Sequence, residues 1–161
     1  MNLGTTAGNI IRRAAQSVMR HVQQEVPGGL RHTDAEPLVF AVANCYPTRI
    51  VLYAAAFQGG WRVEFMKSLR AAVEAARSRR PKAVFYDHGG EEPHWDNYCS
   101  ALSRQGIPFI LLAHKNVDET FLVVLAAGGY QAWGDPLTSE DVVKAVEFAG
   151  ELSGLAHVPV G

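Results

Sequence analysis

The sequence predicts an α/β domain, a doubly wound sheet of five parallel strands, preceded by a helical arm. Two observations carry that prediction. From Pro37 onward, short apolar, β-rich runs alternate five times with helical patterns of about ten residues or more, the order expected of repeated βα units. The third and fourth runs, Ala83-Val84-Phe85-Tyr86 and Phe109-Ile110-Leu111-Leu112-Ala113, are almost wholly apolar, as strands covered by helices on both faces should be.

The arm comes first. Ile11, Ala15, Val18 and Val22 recur at spacings of four, three and four, the seam of an amphipathic helix of roughly four turns, with Arg12, Arg13, Gln16, Arg20 and Gln23 off the seam. Pro27, Gly28 and Gly29 end it. A lone helix of this length is marginal in water, so the seam needs a surface, either its own domain or a second copy, and a homodimer contact is one expectation. The expected limits are an arm and linker over 1–36, the main domain over 37–152 and a tail over 153–161.

Within the main domain the strands are read at 38–43, 63–65, 83–86, 109–113 and 130–133, and the helices near 48–57, 68–79, 93–105, 118–127 and 139–152. Thr138 ahead of Asp141 reads as the cap of the last helix, whose Val142, Val146 and Ala149 face inward. Such a sheet carries its functional groups beyond the carboxyl ends of its strands. The residues there are Asn44 and Cys45, Asp87 and His88, Ala113 and His114, and Gly134 and Asp135.

Composition narrows the classes. The chain has 161 residues, 48% hydrophobic and 19% charged, enough for one well-packed domain but not two. A net charge of −1 gives no overall case for nucleic acid or an anionic membrane, and the arginines of the arm read as a solvated helix face. Two cysteines are too few for a disulfide framework, and no long apolar core marks a signal peptide or membrane span, so a reduced, cytoplasmic protein is expected.

Three blocks then carry a resemblance. Arg80-Pro81-Lys82-Ala83-Val84-Phe85-Tyr86-Asp87 has a Pro opening an apolar strand that ends in Asp. The chain runs without a gap from Ile107-Pro108-Phe109-Ile110-Leu111-Leu112-Ala113 through Ala126-Ala127-Gly128 to Asp135-Pro136-Leu137, and Gly60-Trp61-Arg62-Val63 opens the second strand. Over about 115 residues this resembles the receiver domain of bacterial response regulators. The resemblance implies a flavodoxin-like sheet of strand order 2-1-3-4-5, a role in two-component signal transduction, and Asp87 as the equivalent of the phosphoacceptor.

The same resemblance exposes departures. A receiver binds a divalent ion through that aspartate and an acidic pair after the first strand, while a Thr or Ser and a Lys hold the phosphoryl oxygens. Position by position, the acidic pair falls on Asn44 and Cys45, the hydroxyl on Ala113, the lysine on Asp135 and the aromatic of the fifth strand on Ala132, beside Trp133. An amide and a thiol are poor ligands for magnesium. A carboxylate in place of the lysine adds repulsion of about 4 kcal/mol per close pair at an effective dielectric near 20. A degenerate, atypical pseudo-receiver is therefore expected, not phosphorylated by the standard route, without cofactor or enzymatic activity of its own.

Its output is then protein association, with a histidine kinase or another signalling protein as partner. The resemblance places the partner surface on the fourth helix, fifth strand and fifth helix, including Phe121, Tyr130, Gln131 and Trp133. Two alternatives stay open. Asp87 and Asp135, with Glu91 or Glu92, would form a rearranged carboxylate cluster that binds Mg²⁺ and keeps Asp87 a phosphoacceptor. Or the strand-end crevice, enlarged by Ala43, Ala113 and Ala132, binds a small ligand. The loop from His88 to Cys99 concentrates His, carboxylate and thiol groups without a tetrahedral metal spacing, and reads as a polar loop capping the third helix, with Cys99 a core residue. Cys45 with His88 or His114 lacks the glycine-flanked turn of a nucleophilic enzyme.

Overall fold

The structure, a computed structural model, describes residues 36–88, 92–113, 118–134 and 136–155; Asp118 and residues 152–155 are described through their backbone alone. The arm seam Ile11, Ala15, Val18 and Val22 lies outside the described residues, as do Glu91, His114, Asp135 and the end of the tail. Among the described residues five strands alternate with five helices: β1 (Leu38–Val42), α1 (Tyr46–Gly59), β2 (Arg62–Phe65), α2 (Leu69–Arg79), β3 (Ala83–Asp87), α3 (Trp95–Arg104), β4 (Phe109–Ala113), α4 (Asp118–Ala126), β5 (Tyr130–Trp133) and α5 (Ser139–Leu155). All four pairings are parallel and the order is β2-β1-β3-β4-β5, as expected.

Alternation along each strand divides the core in two. Val39, Ala41, Phe85, Ile110, Leu112 and Ala132 point to the side covered by α1 and α5. Phe40, Val42, Val84, Tyr86, Phe109 and Leu111 point to the side covered by α2, α3 and α4. Every residue of β3 and β4 is buried, the consequence of helices on both faces. Val142, Val146 and Ala149 of α5 face inward, and the helix opens on a reciprocal cap: Asp141 N–H donates to Thr138 Oγ1 at 3.2 Å, while Thr138 N–H donates to the Asp141 carboxylate at 2.9 Å.

The helix ends differ from the sequence pattern where local geometry decides. α1 begins at Tyr46 because Pro47 is pre-organised for a first turn, and it ends at Gly60, whose left-handed backbone (φ 69°) turns Trp61 into the core, stacked on Phe85 at 5.7 Å. α3 begins at Trp95, because His94 has a left-handed backbone (φ 60°). The loop before α3 is read as its cap, but His94 at the N-cap makes no side-chain cap bond, and residues 89–91 lie outside the described residues. Instead Glu92 crosses to α2, where both carboxylate oxygens accept from Leu69 N–H at 3.1 Å, beside Ser68 Oγ, which accepts from Ala71 N–H. A carboxylate on one free amide and a hydroxyl on a second together make a strong helix N-terminus. Replacing Glu92 with Ala is expected to lower unfolding stability by about 1–2 kcal/mol in urea titrations; an unchanged midpoint would show that Ser68 alone suffices.

Candidate functional site

The register assembles the carboxyl edge. Val42 pairs with Tyr86 and Asp87 with Leu112, and Ala113 pairs with Trp133, so the residues leaving β1, β3, β4 and β5 emerge side by side. The backbone extends this ladder past the strand ends, with His88 N–H donating to Leu112 O and Gly134 N–H to Ala113 O, each at 3.4 Å. Asp87 ends β3 and is only 4% exposed, a carboxyl held at the edge of the core. Asn44 and Cys45 leave β1 into solvent. Ala113 is buried, as are Ala43 and Ala132. The three alanines named for a strand-end crevice are thus buried at the carboxyl edge, and residues 114–117 and Asp135 beside them lie outside the described residues.

Arg49, which the sequence reading passed over, is part of this edge. From the first turn of α1 it folds back so that Nε donates to Ala43 O at 2.7 Å, while its guanidinium lies 4.8 Å from the centroid of the Phe65 ring. A fixed positive charge is thus anchored one residue before Asn44. Nothing in the spacing marks this; it depends on β1 ending at Val42, so that the Ala43 carbonyl is free to accept.

Among the described residues the donors at this edge do not fit a magnesium ion. Two of the expected ligand positions are an exposed amide and an exposed thiol, and a guanidinium is tied to the loop that carries them. Among the described residues no three His, Cys, Asp or Glu converge in a way that could hold a metal. Of the rearranged cluster, Glu91 and Asp135 lie outside the described residues, and Glu92 is committed to the α2 cap.

The neighbouring polar loop has structural occupations. His88 packs edge-on against Trp95 at 5.6 Å. Tyr86 lies at the centre of an aromatic cluster, 6.3 Å from Trp95 and 6.2 Å from Phe109, and its hydroxyl accepts from Glu92 N–H at 3.4 Å. Burial raises the Tyr86 pKa above its ordinary value. Cys99 is fully buried, and burial pushes its thiol up to about 12, so it is a neutral core residue as expected.

The partner-surface residues divide. Phe121 and Trp133 are exposed, 42% and 52%, and α4 adds Leu122, Val123 and Leu125, so an apolar surface runs along α4 beside the end of β5. Tyr130 is half-buried and packs edge-on against Phe148 of α5 at 6.0 Å. Gln131 does not belong to that surface by its polar end. Its amide nitrogen and oxygen are both buried, with no hydrogen-bond partner among the described residues.

No protein-family model matches the sequence. The chain is 25% identical over 135 residues to the probable transcriptional regulatory protein TcrX of Mycobacterium tuberculosis, an alignment that covers 82% of this chain and 58% of TcrX. The chain thus spans little more than half the length of that relative. The fold matches the chemotaxis response regulator CheY4 of Vibrio cholerae with a TM-score of 0.59 at 18% identity, over 71% of this chain and 98% of the other. It matches the signal receiver domain of a modulated diguanylate cyclase from Desulfovibrio desulfuricans with a TM-score of 0.62 at 18% identity, over 76% and 99%. At these identities the likeness establishes the fold, that of CheY-like receiver domains.

Proposed function

We propose that the chain is an atypical receiver module of two-component signalling whose output is protein association, decoupled from magnesium-dependent phosphorylation of Asp87. The observation that carries this reading is the carboxyl edge itself. Asp87 keeps its place at the end of β3, while its partners are Asn44, Cys45 and Ala113, and Arg49 is tethered to the Ala43 carbonyl where a metal would require negative charge. The likeness of the fold to response-regulator receivers, together with the TcrX alignment, supports the signalling class.

Incubation with acetyl phosphate and Mg²⁺ or Mn²⁺ followed by intact-mass measurement tests it. No mass change is expected. Gain of one phosphoryl group that disappears in Asp87→Asn would instead make Asp87 a working acceptor served by a rearranged carboxylate cluster.

The partner is a histidine kinase or another signalling protein, bound on the apolar α4–β5 surface with Trp133 as the anchor, since large exposed aromatic groups contribute most when buried in an interface. The seam Ile11, Ala15, Val18 and Val22 pairs with that of a second copy to give a cytoplasmic homodimer. Sedimentation separates the two contacts: a chain beginning at Pro37 is expected to be monomeric, whereas Trp133→Ala in the full chain leaves the dimer intact. A dimer that survives the truncation defeats the arm contact, and one lost on Trp133→Ala reassigns the α4–β5 surface to self-association.

A further inference from the structure

The net charge of −1 conceals a basic pole at the amino edge of the sheet, opposite Asp87. Arg77, Arg79 and Arg80 end α2, Lys82 precedes β3 and Arg104 ends α3. The arginines of this group are not equivalent. Arg79 is engaged, its two terminal nitrogens donating to the two Glu64 oxygens at 2.6 Å and its guanidinium 5.1 Å from the Phe40 ring centroid. Arg80 is a clamp: in a left-handed backbone conformation (φ 42°) that a side chain adopts at a cost, it donates to Gln105 O at 3.1 Å and ties the ends of α2 and α3 together.

The remaining two, Arg77 from α2 and Arg104 from α3, line a shallow, open groove beside this clamp, with Ala101 and Gln105 completing it. Neither makes an ion pair with a carboxylate among the described residues, where the ion pairs are Arg70 with Glu74 and Arg79 with Glu64. One basic residue in a last turn complements the helix dipole on each helix. That explanation does not require the two guanidiniums, one from each helix, to line the same groove.

We infer that this groove between the ends of α2 and α3 is a binding site for a small phosphate ester, its phosphate held between Arg77 and Arg104. The planar guanidinium presents paired donors that match phosphate oxygens. Ala101 and the arginine stems give the ester group an apolar floor. The depression is shallow and open to solvent, so it seats a phosphate group against the two arginines without enclosing it. The site is independent of Asp87 and of the signalling role proposed above.

Calorimetric titration of the full chain at low salt with adenosine monophosphate, inorganic phosphate and a short single-stranded oligonucleotide tests the inference. Saturable binding of the mononucleotide, competed by inorganic phosphate, is expected. It should weaken by about tenfold for each of Arg77→Gln and Arg104→Gln, as loss of one charge-assisted contact implies. Lys82→Gln, outside the groove, should leave it within about twofold. These side chains are exposed, and circular dichroism of each variant checks that the fold is retained. No saturable binding of mononucleotide or phosphate, or binding that survives both arginine changes, overturns the site. Tighter binding of the oligonucleotide, reduced as much by Lys82→Gln as by the arginine variants, also overturns it in favour of a nucleic-acid surface.

Discussion

In the double variant Asn44→Asp/Cys45→Asp, Mn²⁺ and Mg²⁺ are expected to bind about a hundredfold more tightly than in the parent chain. Both side chains are exposed, so the change costs no core packing and reads out ligand chemistry alone. It adds two carboxylates next to Asp87, restoring the hard oxygen donors that an amide and a thiol do not supply. Even at an effective dielectric near 20, one close pair of unit charges is worth about 4 kcal/mol before desolvation is subtracted, so two such additions exceed the energy of a hundredfold change. Arg49 opposes the gain, and adding Arg49→Gln should raise affinity further, because it removes the cation bonded to Ala43 O. Mn²⁺ titration followed by electron paramagnetic resonance gives the affinities directly. If the double variant binds no better than the parent, the obstacle is the conformation of the β1–α1 loop rather than its donor atoms. Metal binding in this variant should not bring acyl phosphate formation with it, since Ala113 and Asp135 still lack the hydroxyl and the ammonium that would hold the phosphoryl group.

The largest loss of stability is expected from Tyr86→Ala, at about 3–5 kcal/mol, a large part of the 5–15 kcal/mol typical of a domain. Tyr86 is 1% exposed, with His88, Trp95 and Phe109 around its ring, so the truncation leaves a cavity that three fixed neighbours cannot close. Tyr86→Phe keeps the ring and loses only the hydroxyl that accepts from Glu92 N–H, and should cost about 0.5–1.5 kcal/mol. Urea unfolding of the two variants separates packing from hydrogen bonding. Equal losses would mean that the hydroxyl, and not the ring, holds the β3–α3 loop.

How far the molecule can be read without coordinates depends on whether the cause of each feature is local. β3 and β4 were legible because burial on both faces writes itself into sequence as an unbroken apolar run. The Thr138–Asp141 cap was legible because its partners are three residues apart. Glu92 was not, because it caps a helix 23 residues earlier, and a carboxylate in a polar loop has the same local pattern whether it is solvated or bonded. Gln131, named for the partner surface, is half-buried with its amide atoms buried, although β5 is the edge strand of the described sheet; no local pattern marks that. At the candidate site the positions Asn44, Cys45, Asp87 and Ala113 followed from the strand-end rule, while Arg49 followed from nothing short of the fold.

The strand order also constrains how the chain is made. Of the five described strands β1 is synthesised first, yet it lies inside the sheet, between β2 and β3. Its second neighbour arrives only after α1, β2 and α2 have been completed, some 40 residues later, or a few seconds at about 5–20 residues per second. Until then one edge of β1 stays unpaired, and of the helices that cover Phe40 and Val42 only α2 has been made. Parallel pairing over such separations is slow because loop closure precedes its reward. A half-made chain therefore holds an unpaired, wholly apolar β1 edge, and the interval between β2 and β3 is where a chaperone, or aggregation, competes for it.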